Sequence, residues 1–195
     1  MVSKIKTASI TPDAVDNTIL DLADNFAFTG TVTGAGGGFT FASEQSLSST
    51  SGVTFTGIPS GVKIIKFFAE NVSTASTADH SMQIGDSGGL ESSGYVRGDM
   101  FFASASSIGN GSSTSADSWR LDSWGADTNF MQHNGEIVRL TGNKWFMKAI
   151  VFENTQPNYF IIWKGYKELS GELTQLKFYP HTGTFDSGTI YIGYQ

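Results

Sequence analysis

Gly85-Asp86-Ser87-Gly88-Gly89 sets a serine between an acid and two glycines, and His80 stands seven residues before that serine. A serine hydroxyl becomes a nucleophile when a histidine takes its proton and a buried acid orients the imidazole. The glycines also have a plainer use, since they supply positive φ in a turn that follows a strand over Ser81–Ile84. The other histidines, His133 and His181, have no partner at metal-ligand spacing. Asp122, Asp127 and Asp186 stand singly rather than in a calcium loop, and read as turn aspartates. No carboxylate pair for glycoside hydrolysis is evident. The chain has no cysteine, which excludes a disulfide framework, a thiolate zinc site and a cysteine nucleophile. The expectation is a protein with no catalytic residue, no metal and no cofactor.

The glycine-framed serine resembles the nucleophile segment of chymotrypsin-like serine proteases, and Thr77-Ala-Asp-His80 echoes their histidine motif. In those enzymes the histidine and the buried aspartate lie well upstream of the serine, on a separate barrel. Here the histidine is seven residues away, and Leu90 stands where a proline usually follows. The turn reading therefore prevails. Aromatic residues are the remaining lead. Trp119 and Trp124 flank Asp122 and approach the segment 125–129, where either could stack a sugar or peptide. The alternative for both is the core or a subunit interface. Trp145 and Trp163 are assigned to the interior, and Arg97 and Asp99 to polar contacts near a tip. Asn71-Val-Ser73 and Asn110-Gly-Ser112 match the glycosylation sequon.

The elements that must position these residues follow from composition and pattern. A chain of 195 residues with this composition can hold one domain plus an appendage, burying about 70% of its unfolded surface. The net charge is −6 with scattered Lys and Arg, which argues against nucleic acid as a partner. Charged residues make up only 15% of the chain, while glycine is abundant, the profile of a turn-rich β protein. Apolar runs such as 149–152 are too short to span a bilayer, so no membrane insertion is expected. The amino terminus carries no apolar signal segment, so synthesis and folding in a cytoplasm are expected.

Ten strands are predicted: Val53–Thr56, Val62–Glu70, Ser81–Ile84, Tyr95–Ala103, Asp117–Asp122, Glu136–Thr141, Trp145–Phe152, Tyr159–Tyr166, Thr174–Tyr179 and Thr189–Tyr194. Thr141-Gly-Asn-Lys144 fits a two-residue hairpin with glycine leading. The Ser-rich stretches Ser43–Gly52 and Ser104–Ser115 read as long loops or disordered tips. This punctuation predicts an all-β, jelly-roll-like antiparallel β-sandwich over residues 35–195. Thr174–Tyr179 alternates cleanly, with Leu176 and Phe178 inward and Gln175 and Lys177 outward. Trp145–Phe152 is apolar on both faces: Trp145, Met147, Ala149 and Val151 on one, Phe146, Ile150 and Phe152 around Lys148 on the other. In a sandwich only one face of a strand meets the opposite sheet. The second face needs a cover, and a neighbouring copy is expected.

Residues 1–34 form a separate arm, followed by the Gly-rich hinge 34–38. Thr11-Pro12-Asp13 is a helix start, with a hydroxyl cap, proline at the first helical position and an acid beside the positive helix end. Ile10 and Val15 sit at the spacing of a hydrophobic staple. Val15, Ile19, Leu22 and Phe26 then recur at intervals of four, three and four, a narrow apolar seam. A seam this short cannot hold a helix alone in water, so it needs a partner surface. Ile10, Val15, Ile19, Leu22 and Phe26 are therefore the candidate docking and oligomerisation residues.

Three segments together carry a resemblance. Ile5-Lys-Thr-Ala-Ser-Ile-Thr-Pro-Asp-Ala-Val15 is similar to amino-terminal segments of tail-fibre proteins from marine and other tailed bacteriophages. Phe55-Thr-Gly-Ile-Pro-Ser-Gly-Val62 and Met82-Gln-Ile-Gly-Asp-Ser-Gly-Gly89 resemble the body of a virion domain in such phages. Gly183-Thr-Phe-Asp-Ser-Gly-Thr-Ile-Tyr-Ile-Gly193 resembles its closing strand. The resemblance implies a homotrimeric β-sandwich on the virion surface, tail or capsid, with the amino-terminal arm directed to other virion proteins. It implies a short tail fibre that binds a host surface glycan or protein, but it carries over no catalytic or receptor residue; Trp119 and Trp124 are the candidate contacts from their own placement in the sequence. The arm occurs once here rather than in repeats. A capsid decoration protein or head fibre is accordingly the alternative, and a polysaccharide-degrading spike a distant third.

Overall fold

Short runs of β-branched and aromatic residues, broken by Gly, Ser and Asn turns, fold into strands, and no helix occurs among the described residues. The computed structural model describes residues 38–104, 107–121, 129–154 and 159–195. The strands are β1 (Thr40–Phe41), β2 (Gln45–Ser46), β3 (Val53–Thr56), β4 (Ile64–Thr74), β5 (His80–Asp86), β6 (Gly89–Leu90) and β7 (Tyr95–Ser104). They continue with β8 (Ser107–Ala116), β9 (Trp119–Arg120), β10 (Met131–Arg139), β11 (Lys144–Glu153), β12 (Phe160–Glu168), β13 (Gln175–Pro180) and β14 (Phe185–Tyr194).

Two antiparallel sheets result. The larger runs β1-β14-β4-β10-β11-β12-β7-β8, with β2 also paired to β14. The smaller runs β3-β13-β5, and β6 and β9 share the far edge of β5. Inward side chains of both sheets join one apolar cluster that includes Ile65, Phe67, Ile137, Met147, Val151 and Trp163 from the large sheet and Phe55, Met82, Ile84, Leu176 and Phe178 from the small one. Residues 38–195 thus have the β-sandwich-like architecture that period-two patterning predicts. The arm residues and most of the hinge lie outside the described residues.

Each predicted strand has a counterpart, with shifted ends where tertiary pairing decides them. Val53–Thr56 is unchanged, whereas Glu136–Thr141 starts earlier, at Met131, and stops at Arg139. The hairpin between β10 and β11 closes as predicted, the Lys144 N–H donating to the Thr141 carbonyl at 3.1 Å with Gly142 leading at φ 58°. One correction concerns the Ser-rich stretch 104–115. Ser104 ends β7, and residues 107–115 belong to the edge strand β8, paired with β7 through Phe102↔Ile108, Gly98↔Ser112 and Tyr95↔Ala116. Its Ser, Gly and Asn residues make no apolar alternation, because an edge strand with two polar faces needs none. Ser43–Gly52 stays mainly turn around the short β2.

Candidate interaction face

The face of the large sheet that points away from the core carries aligned rows of side chains, set by the pairing register. One row crosses six strands as Tyr191, Phe68, Asn134, Ile150, Ile162 and Met100. Beside it on one side run Phe152, Phe160, Phe102 and Ile108. On its other side lies a charged row of Lys66, Glu136, Lys148 and Lys164. Beyond that, Ile64, Val138, Phe146, Tyr166 and Val96 make a further row that is largely apolar. Cross-strand neighbours on one face sit close enough to interact directly. Accordingly Phe68 stacks on Tyr191 at 5.2 Å and Phe102 on Phe160 at 4.5 Å.

Several of these side chains are exposed to solvent, and the rest are half-buried. Ile150 is 53% exposed, Met100 47%, Phe152 46% and Ile162 45%, in a contiguous block across three adjacent strands. Single exposed apolar residues are ordinary on a soluble protein, but a contiguous patch marks a binding surface. The electrostatics of the face are lopsided. Lys148 pairs with Glu136 at 2.8 Å, whereas Lys66 and Lys164 have no carboxylate partner among the described residues. Lys66 instead lies 5.0 Å from the Phe39 ring centroid, a cation–π contact. A depression of about 390 Å³ lies between the apolar and charged rows, bordered by Phe68, Ile150, Lys66 and Lys148. A second, of about 520 Å³, runs beside β7 and β8, bordered by Met100, Phe146, Lys164 and Tyr166.

The predicted chemistry resolves into structure. Trp119 is fully buried, its ring edge-on to Tyr95 at 5.3 Å and its indole N–H donating to the Tyr166 carbonyl at 3.4 Å. It lies directly over Gly165, where a Cβ would collide with the indole. A side chain with no accessible surface has no face for a sugar, so Trp119 belongs to the core alternative rather than to a stacking platform. Trp145 and Trp163 are likewise interior. Trp124, with Asp122 and Asp127, lies outside the described residues, as do Ile10, Val15, Ile19, Leu22 and Phe26. Arg97 and Asp99 sit along β7 rather than at a tip, half-buried. Burial holds Asp99 above the usual carboxylate range, opposed by Arg120 and then Arg97.

Ser87 and His80 occupy opposite ends of the β5 segment. Ser87 is exposed in the turn, where Asp86 accepts from the Gly88 N–H at 2.7 Å and Gly89 takes φ 124°. Asp86 also accepts from the Ser170 hydroxyl at 2.7 Å. Ser170 in turn donates from its backbone N–H to Glu91 at 2.7 Å, and Glu91 pairs with the buried Lys167. The Ser170 hydroxyl and the Gly88 N–H lower the Asp86 carboxyl from its usual range. This network ties the motif turn to the chain after β12. Its acid is a tether for a turn, not an orienter for a histidine.

His80 is instead buried against His133, Nδ1 to Nε2 at 3.1 Å, between the rings of Phe178 and Phe185. Burial pushes His80 down to about 3, and burial followed by the nearby His80 pushes His133 well below its ordinary value. Both imidazoles are therefore neutral parts of the core. Among the described residues no group of three or more His, Asp and Glu gathers as a metal site.

Sequence reasoning found the two-sided apolar character of β11 and β12 but missed the contributions of β4, β7 and β10 to the same face. Phe68 and Met100 could be found only by register, since each lies in a strand whose outward positions are otherwise mixed. Comparison with known protein families, with characterised proteins and with solved structures finds no match to this chain.

Proposed function

We propose that this chain is a structural protein of the tailed-bacteriophage virion surface: a homotrimer with a jelly-roll-like head, docked through its amino-terminal arm and binding the host surface as a short tail fibre. The observation that carries the reading is the block of Met100, Phe152, Ile150 and Ile162 on the outer face of the large sheet. One copy leaves it open, and identical copies cover it by assembling. The sequence phrases of the arm, the motif turn and the closing strand support the virion setting. The structural use of Asp86 in the glycine-framed turn fits a protein whose task is holding and presenting rather than bond-making.

In this reading function comes from multivalency. Three weak sites on one rigid body raise avidity through effective concentration, with no chemical step. The segment that carries Trp124 is the candidate host contact, and the amino-terminal arm is the candidate virion contact. Gold-labelled antibody against the protein is expected to mark virion tails, and purified protein to adsorb to host cells and block infection. Label spread over the head would replace the fibre by a capsid decoration protein. Label absent from virions altogether would overturn the proposal.

A further inference from the structure

We infer that the outer face of the large sheet is the docking site for residues 11–26 of a second copy of this chain, the apolar seam lying on the Phe68–Ile150–Ile162–Met100 row with its acids beside the lysines. The inference deepens the proposed assembly and rests on it. It names what covers the face, and three observations carry it.

Charge complementarity is the first. The charged row holds Lys66, Lys148 and Lys164 against Glu136 alone, so it is net positive by two. Residues 11–26 contain Asp13, Asp16, Asp21 and Asp24 and no Lys or Arg, a charge of −4 in sixteen residues. A second copy of the same face is the competing cover. Laying face on face opposes two lysine rows with only Glu136 on each to answer them, and like charges directly opposed are destabilising.

Apolar content is the second. Residues 11–26 carry Val15, Ile19, Leu22 and Phe26 at intervals of four, three and four, and the face carries Phe68, Ile150, Ile162 and Met100 in one row, with Asn134 between the first two. A narrow seam needs a partner, and an exposed apolar row needs a cover.

Reach is the third. The described head begins at Gly38, two residues before β1, which is an outer strand of this same large sheet. From Phe26 to Gly38 the chain can extend about 40 Å, enough to cross from one head to a neighbour.

The absence of cysteine makes a disulfide test clean. Full-length I19C, carrying a tag, is co-expressed with full-length untagged I150C, and the mixture is oxidised and run on a non-reducing gel. The expected product is a covalent dimer of one tagged and one untagged copy, at least tenfold above what either variant forms alone. K148E/K164E placed in the I150C copy is expected to cut the product at least tenfold, and D16K/D21K in the I19C copy to restore it. Lys148 and Ile150 are exposed, so these face changes leave the fold in place. Dominant I150C-to-I150C product overturns the inference while leaving self-assembly standing, because the faces then cover each other. A trimer mass without tagged-to-untagged product, or a product indifferent to charge, also overturns the inference alone. A protomer mass without any product overturns the inference and the assembly reading together.

Discussion

Strand β11 has two faces with nearly the same hydrophobicity and opposite fates. Trp145, Met147, Ala149 and Val151 are buried against the small sheet, while Phe146, Ile150 and Phe152 point the other way and stay open. The difference teaches that apolar composition does not decide burial; the availability of a second layer does. Inside, the sandwich supplies one. Outside, the chain leaves ordered rows of aliphatic and aromatic side chains interrupted by lysines, a surface suited to a partner that is itself part apolar and part acidic.

Substitutions should separate the faces, the largest effect falling inside. Trp119→Ala removes a fully buried indole that rests on Gly165, and is expected to cost about 3–5 kcal/mol in urea unfolding. Ile150→Ala at the open face should move the stability of the isolated protomer by about 0.5 kcal/mol or less. Equal costs at the two positions would erase the distinction.

The next effect concerns a buried charge. Burial raises the Glu91 carboxyl, and the Lys167 ammonium together with Ser170 outweighs it, leaving Glu91 below its ordinary range. Lys167→Met keeps the volume but leaves Glu91 without its cation, for an expected loss of about 1.5–3 kcal/mol by denaturant titration. No loss would mean that Ser170 alone satisfies Glu91.

A graded effect, spread over several pH units, comes from the paired histidines. Their folded values are depressed below the unfolded 6.5, so between those values the unfolded chain binds more protons than the folded one. Stability is then complete above about pH 6.5 and declines as the pH falls towards 3, by up to about 1.4 kcal/mol per pH unit for each histidine. His133→Gln should flatten the fall in unfolding free energy between pH 6 and 4. An unchanged slope would place the acid sensitivity elsewhere.

Much of the head was legible because its strands obey simple patterning. Thr174–Tyr179 alternates, and the strand it predicts is found with Leu176 and Phe178 buried. β8 was hidden because an edge strand of Ser and Gly buries no row of side chains. Its spacing of Gly109 and Gly111 makes room for Phe101 and Asp99 on β7, a signal visible only once the pairing is known. The motif turn shows the opposite failing. Its local sequence suggested a nucleophile, whereas Ser170 and Gln175, far along the chain, fix the acid as a turn tether. The candidate face was half legible: two-sided strands reveal that a cover is needed, but only the register aligns Phe68, Ile150, Ile162 and Met100 into one row.

The account turns on the open face of the large sheet being covered by further copies of the chain. Light scattering on the full-length protein at micromolar concentration measures this directly. Wild type should give about 63 kDa, three protomers of 20.9 kDa, and Ile150→Asp combined with Ile162→Asp should give the protomer mass with an unchanged circular dichroism spectrum. A wild-type mass of one protomer would contradict the account.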